Sequence, residues 1–479
     1  MQRKFLSNLT LLLLLNLLIK PAYLLLVETE VQNRVGSEVY GNYAALLSLT
    51  FLLNIFLDLG LNTFTSRTLA QKNHLASNYI GHVAGLRGLL VLIYFVLLFV
   101  SALFLGYEQA DYILLTWLGV NQLLAASVLY IRSNLNGLLL FKSDAVISIL
   151  DKGLLLVGLG YLLIVGAPNS FDLYYMVWGQ TIAYGVALIV ATLLLVPKIG
   201  QVKLRWSPST SRTILKQSLP YALLVLLMMV YYKTDSVMLE RMLPEGDFYS
   251  GVYAMSYRLF EAANMVGYLF ATLLLPLFSR ALKRNESVSP LAGNAFRLIL
   301  SGGLIVGVIS GRWSDEILHM IYDHDVDLAA PCFVVLMASF FFMLMSYLWG
   351  TLLTANGDMR IMNRIATGAV ILNISLNLIL IPRYQAFGSA VASLFTQILV
   401  AVLQMILSYR IVGVRLGKPV IQRSLIFIAL VGISLYLTTI IDLQWQLLGV
   451  VFGALCVAFA FVTGLLRLDY VKSLLGKTT

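Results

Sequence analysis

The sequence predicts an all-α, polytopic membrane protein with about 14 transmembrane helices, built as two six-helix lobes in a parallel repeat plus two C-terminal helices. Composition is the first reason. Of 479 residues, 59% are hydrophobic and 12% charged, and the mean hydropathy is +0.87. A soluble domain carries about 25% charged residues. The second reason is the placement of lysine and arginine, which crowd alternate connections between apolar runs. The third is an internal repeat at a nearly constant offset. The two-residue alternation of a membrane β-barrel is absent.

Hydropathy marks spans at about 5–27, 40–62, 80–105, 111–134, 144–166, 173–196, 216–239, 249–279, 292–312, 328–353, 361–381, 386–410, 423–441 and 445–466. Each is long enough to cross a hydrocarbon core of about 30 Å as a helix. The first run follows Met1-Gln-Arg-Lys4 like a signal peptide, but it continues through Lys20-Pro21 to Val27 without a small-residue cleavage site. It is read as a retained first helix.

The connections and tails on the side of the termini carry 23 lysines and arginines, including Arg67, Arg132, Arg205 and Arg423. The opposite side carries four: Arg34, Arg241, Arg312 and Arg383. The positive-inside rule then places both termini in the cytoplasm. The net charge of +10 is explained by this topology, so no nucleic-acid partner is needed.

The repeat is carried by short matches. Tyr40-Gly41-Asn42-Tyr43-Ala44 returns as Ser250-Gly251-Val252-Tyr253-Ala254, and Ser66-Arg67-Thr68-Leu69 as Ser279-Arg280-Ala281-Leu282. Lys20 falls opposite Lys233 and Asp144 opposite Asp358. All offsets lie between 210 and 214 residues. The expected domains are a first lobe over 1–196, a basic cytoplasmic linker over 197–216, a second lobe over 217–412 and an appended pair over 423–466. Parallel repeats of this kind are a transporter plan, with the substrate held between lobes.

Enzyme motifs are missing. Gly413-Val-Arg-Leu-Gly-Lys418 is too short for a phosphate-binding loop and lacks the following Ser or Thr. The four histidines lack metal-ligand spacing, and Asp323-His324-Asp325-Val326-Asp327 reads as an ordinary acidic loop. Cys332 and Cys456 lie in separate apolar runs and read as small packing residues. No catalytic group, metal or cofactor is expected. Transport or a multispan scaffold remains.

Charges inside spans are costly, at least about 2.5–3.5 kcal/mol each at the bilayer centre, and so mark function or pairing. The basic ones are Lys20, Arg87, Lys152, Lys233, Arg258 and Arg297; the acidic ones are Asp58, Asp151, Asp235 and Glu261. Arg258 and Glu261 are three apart and share a helix face. Lys233 and Asp235 are two apart and point about 200° from one another, so each needs a different partner. The basic set is the candidate substrate site, because a cationic cavity suits an anionic, phosphate-bearing substrate. The four acids are coupling-ion candidates. The competing reading is that these charges pair structurally or snorkel to the interface.

Several motifs resemble a known family. They are Tyr40-Gly-x-Tyr43 with Leu57-Asp-Leu-Gly-Leu-Asn-Thr63; Lys233-Thr-Asp-Ser-Val-Met-Leu239 with Gly251-x-Tyr253 and Leu275-Pro-Leu-Phe-Ser-Arg280; and Leu372-Asn-Ile-Ser-Leu-Asn377 with Gly388-Ser-Ala-Val-Ala-Ser393. In order and spacing they resemble the O-antigen and polysaccharide flippases of the multidrug/oligosaccharidyl-lipid/polysaccharide exporter superfamily. The stretch Tyr384-Gln385-Ala-Phe-Gly388 departs from the family's usual Tyr-Gly pair, so the turn there is expected to be rebuilt. The resemblance implies alternating access and an undecaprenyl-pyrophosphate-linked oligosaccharide carried to the outer leaflet of the bacterial inner membrane. It implies membrane lipids and a polysaccharide polymerase as partners, with O-antigen and lipopolysaccharide, capsule or another glycan as the end product. The alternatives are a cation-coupled multidrug antiporter, for which an acid-lined cavity is expected, and a peptidoglycan-precursor flippase.

Overall fold

A computed structural model describes residues 16, 18–62, 65, 66, 69, 76–138, 140–165, 171–199, 207–441 and 443–467. The start of the first span, residues 200–206 of the expected linker and the C-terminal tail lie outside the described residues. Every regular element described is helical. After a π-helical turn at Tyr23–Glu28 come α1 (Thr29–Leu53), α2 (Ile55–Asp58), α3 (Ala76–Phe104), α4 (Asp111–Gly137), α5 (Phe141–Val165) and α6 (Leu173–Ile199). Then follow α7 (Pro208–Met242), α8 (Gly246–Lys283), α9 (Ser289–Arg312), α10 (Ser314–His319), α11 (Val326–Asn356), α12 (Met359–Leu407), α13 (Lys418–Leu437) and α14 (Trp445–Val462).

Among the described residues, 11 continuous helices are long and apolar enough to cross a membrane. Two of these are double-length, Leu18–Asp58 and Met359–Val412. The first breaks at Gly36 (φ 81°) and the second at Gln385 (φ 47°). Counting each half, and adding the 35-residue α7, recovers the expected span number.

The first break falls inside 28–39, expected as a connection, yet the chain is helical on both sides of it. Polar residues do not prevent a helix, and the Arg34 Nε donates to Glu30 Oε1 at 2.8 Å one turn back. Glycine at position 36 supplies the positive φ that reverses the chain. The same Arg34 donates to the Leu163 carbonyl at 2.8 Å, satisfying a free acceptor in the last turn of α5. The second break lies within Tyr384–Gly388, where the rebuilt turn is expected. Pro382 just before it weakens the helical ladder.

The chain divides into two compact units, Met1–Ala254 and Met255–Thr479, with the boundary inside α8. In the first unit α4, α5 and α6 share a core of Val128, Ile131, Leu135, Ile147, Ala187, Ala191 and Leu195. Ala187 and Ala191 stand one turn apart, and such small residues let membrane helices approach closely. The opposite faces expose Val157, Ile164, Ile182 and Leu193, which in a bilayer meet acyl chains. Helix α7 packs along α1, α2 and α3 in this same unit.

In the second unit α11 is the central helix, packed on α9 and α12. Its Leu344 fills the space left by Gly267 and Gly303, where an added Cβ would stand 2.5 and 2.7 Å from that side chain. The appended pair attaches to α9. Trp313 meets Phe452 edge-on at 5.7 Å, an arrangement worth about 0.5–1.5 kcal/mol beyond burial. Arg312 Nε donates to the Thr438 hydroxyl at 3.3 Å.

Candidate functional site

The charged face of α5 organises the first unit. Asp144, Ser148, Asp151 and Lys152 recur at helical spacing and so lie along one side of α5. The first membrane segment packs against that side, with Asn16 Nδ2 donating to Ser148 Oγ at 2.8 Å. Lys20, half-buried on this segment, lies in the field of Arg132, Asp151, Lys152 and Asp144. Arg132 donates to Asp144 Oδ1 at 2.6 Å and reaches Oδ2 at 3.4 Å. Lys152 donates to the Tyr184 hydroxyl at 3.2 Å, and its ammonium stands 4.6 Å from the Tyr23 ring and 5.5 Å from that of Tyr184.

The π-helical turn after Pro21 explains how Tyr23 reaches Lys152. Proline lacks the amide that would close the regular helical bond, and a π turn shifts the register of the side chains beyond it. The cluster thus joins three cations, Lys20, Arg132 and Lys152, to the carboxylates of Asp144 and Asp151, with Glu28 also in the field of Lys152. Asp144 is taken up by Arg132 and is buried.

Arg132 was not among the candidate site residues. Sequence position counts it with the cytoplasmic connections; in the fold it lies near the C-terminal end of α4 and turns inward to Asp144. The only signal for it is the pairing of opposite charges twelve residues apart. An uncharged network behind the cluster also escaped sequence reasoning. Gln180 Nε2 donates to the Tyr43 hydroxyl at 3.0 Å, Asn121 Nδ2 donates to the Val177 carbonyl at 3.0 Å, and the Thr181 hydroxyl donates to Asn121 Oδ1 at 2.7 Å. These bonds tie α1, α4 and α6 together inside the bundle.

Arg87 and Asp58 form a second charged pair. Arg87 is buried, 3.7 Å from Asp58, and donates to Asn62 Oδ1 at 3.1 Å and to the Ala126 carbonyl at 3.0 Å. Its guanidinium also lies 4.5 Å from the Tyr130 ring. These contacts tie α2, α3 and α4 together through Arg87. Asp58 further accepts from the Asn62 amide at 3.0 Å. Lys233 and Asp235 diverge as their spacing requires: the Lys233 ammonium lies 5.2 Å from the Phe51 ring, while buried Asp235 accepts from the Tyr253 hydroxyl at 2.9 Å.

The remaining candidates belong to the second unit. Arg258 is buried on α8, with Glu261 one turn on. Arg297 on α9 donates to Asn294 Oδ1 at 3.2 Å. Uncharged polar groups bridge the break in α12, where Ser389 Oγ donates to Asn377 Oδ1 at 3.1 Å and Asn377 Nδ2 to Asn373 Oδ1 at 3.2 Å.

The sequence profile of the polysaccharide biosynthesis protein family matches residues 5–282, more than half of the chain. The chain belongs to this family. An uncharacterized membrane protein of Methanocaldococcus jannaschii is 26% identical over 380 residues, covering 76% of this chain and 88% of that relative. Among solved structures, the fold is similar to the lipid II flippase MurJ in an inward closed conformation, with a TM-score of 0.70, 16% identity and coverage of 96% of this chain and 98% of the other. It is also similar to the MATE transporter VcmN of Vibrio cholerae (TM-score 0.56, 17% identity, 85% and 96% covered). A transporter of the MOP superfamily from Pyrococcus furiosus gives a TM-score of 0.58 at 12% identity, with 85% and 95% covered. The family member therefore has the polytopic helical fold of these transporters.

Proposed function

We propose that this member of the polysaccharide biosynthesis family is a flippase that carries an undecaprenyl-pyrophosphate-linked oligosaccharide from the inner to the outer leaflet of the cytoplasmic membrane. Both termini lie in the cytoplasm, as the lysine and arginine asymmetry requires. The observation that carries the reading is the Lys20, Arg132 and Lys152 cluster, gathered where the first membrane segment packs on α5 in a polysaccharide-family protein. Ammonium and guanidinium groups attract a pyrophosphate more strongly in a low dielectric than they would in water. Lys233 in the first unit and Arg258 and Arg297 in the second extend the candidate set. Alternating access would present these charges to each leaflet in turn.

The chain supplies binding and passage, and no bond in the cargo is made or broken. Buried Asp235 and half-buried Asp151 and Glu261 are the coupling candidates, because Asp58 is engaged with Arg87. The test is gene deletion followed by analysis of lipid-linked glycans by leaflet. The reading expects one lipid-linked oligosaccharide to build up in the inner leaflet and to clear when the gene is restored. Build-up of a peptidoglycan precursor would replace this cargo with that one. A deletion that changes no lipid-linked glycan, but sensitises cells to cationic drugs, would overturn the reading in favour of a multidrug antiporter.

A further inference from the structure

The repeated glycine motifs meet each other. Within the first unit, a Cβ added at Gly41 of α1 would stand 1.7 Å from the Asp247 carbonyl oxygen and 2.6 Å from the Gly251 amide nitrogen, both on α8. A Cβ added at Gly251 would stand 1.9 Å from the Ser37 carbonyl oxygen. Ser37 precedes Gly41 by four residues, and Asp247 precedes Gly251 by four. Each glycine therefore packs on the carbonyl one turn before the other glycine, as a local two-fold crossing requires. The two sequence repeats are the two sides of a single contact.

The chemistry of this contact differs from that of an apolar helix seam. The hydrogen occupying the place of each missing Cβ points at a carbonyl oxygen, the geometry of a weak Cα–H···O bond. Gln32 Nε2 adds a hydrogen bond to the Gly251 carbonyl at 2.9 Å. The two backbones approach directly at the glycines, so parting them there breaks weak polar contacts. Each helix is anchored two residues further on. Tyr43 is bonded to Gln180 of α6, and Tyr253 to Asp235 of α7. Each glycine segment thus keeps a tether to its own half of the repeat when the crossing opens. A cavity of about 440 Å³ lined by Glu38, Glu245 and Asp247 reaches the crossing, so water has access from that end.

We propose that the Gly41–Gly251 crossing is the outer closure of the transport path, a reversible backbone-to-backbone seal that parts when the protein opens outward. Glycine is required at both positions because any side chain would hold the seal open. Restoring ordinary Cβ–oxygen separation needs a shift of roughly 1.5 Å. The proposal rests on the transport reading and on the orientation with the α7–α8 turn outside. It does not depend on the identity of the cargo.

The experiment is cysteine labelling in intact cells from outside, with a membrane-impermeant maleimide, read peptide by peptide by mass spectrometry. Ser250 is fully buried at the crossing, and native Cys332, also fully buried in α11, serves as the internal reference. Ser250→Cys in the otherwise native chain should label at least tenfold faster than Cys332, because the seal opens spontaneously. Labelling no faster than Cys332 would show a static contact and overturn the proposal. The second variant pair uses Ser48→Cys, buried on the same α1 face as Gly41 and Ala45. Adding Gly251→Ala should raise its labelling about tenfold, whereas adding Gly88→Ala should not, since a Cβ at Gly88 meets nothing within 4 Å. Equal labelling with Gly251→Ala at normal membrane abundance would also overturn it. Neither readout uses the glycan, so loss of the flippase reading leaves this test standing.

Discussion

Arg132 of α4 and Asp144 of α5 meet at 2.6 Å beside Lys20. The pair fixes the two helices where the first membrane segment crosses them. Asp144 is nearly inaccessible, with its side chain 5% exposed. Breaking a buried pair by removing one partner costs about 3–5 kcal/mol, because a charge is left without compensation. Arg132→Ala should therefore lower both membrane abundance and the melting temperature in detergent. Arg132→Met combined with Asp144→Leu should recover abundance while leaving export impaired. Full export by that double variant would remove Arg132 from the substrate site.

Lys20 and Lys152 should behave differently from each other. Lys20→Ala is expected to reduce glycan export about tenfold at normal abundance, Lys20→Arg to retain most of it, and Lys20→Glu to abolish it by repelling the pyrophosphate. Lys152 is held by two tyrosine rings and one hydroxyl, so Lys152→Ala should reduce abundance as well as export. Cation–π contacts are worth about 2 kcal/mol when desolvated. Lys233→Ala should also impair export. Normal export by both Lys20→Ala and Lys233→Ala, measured against membrane levels, would end the cationic-site reading.

Arg87 should prove structural. It contacts Asp58, Asn62, the Ala126 carbonyl and the Tyr130 ring. A lysine lacks the planar fork that makes these contacts together. Arg87→Lys and Arg87→Ala should both lower the melting temperature, and the protein that survives should export at the normal rate per molecule. An export defect without any change in stability would instead place Arg87 on the substrate path.

Topology is tested by reporter fusions at Arg205 and Thr479. Both should be active only with a cytoplasmic reporter, because 23 lysines and arginines lie on that side against four on the other. An active periplasmic reporter at either position would overturn the span count. At both positions it would reverse the orientation and move the Gly41–Gly251 crossing to the cytoplasmic face.

The spans, the helical class and the repeat are legible in the sequence because they rest on local quantities. Transfer free energy per residue sets where helices cross. Charge asymmetry sets the expected orientation. Lys233 and Asp235, two apart on a helix, were bound to find separate partners whatever the fold. The motif match at Gly41 and Gly251 was equally visible as a pattern, though its meaning was not.

Tertiary structure decided which charges belong together. Arg132 lies near a span end, and only the packing of α4 on α5 turns it inward to Asp144. Arg87 and Asp58 look like any two intramembrane charges until α2, α3 and α4 converge around the guanidinium. The π turn after Pro21 brings Tyr23 over Lys152 by a register shift that hydropathy does not encode. The glycine crossing is the clearest case. Residues 210 positions apart are joined by backbone atoms, which carry no side-chain signature. The sequence could show that both sites lack a Cβ; only the approach of α1 and α8 shows what occupies the space.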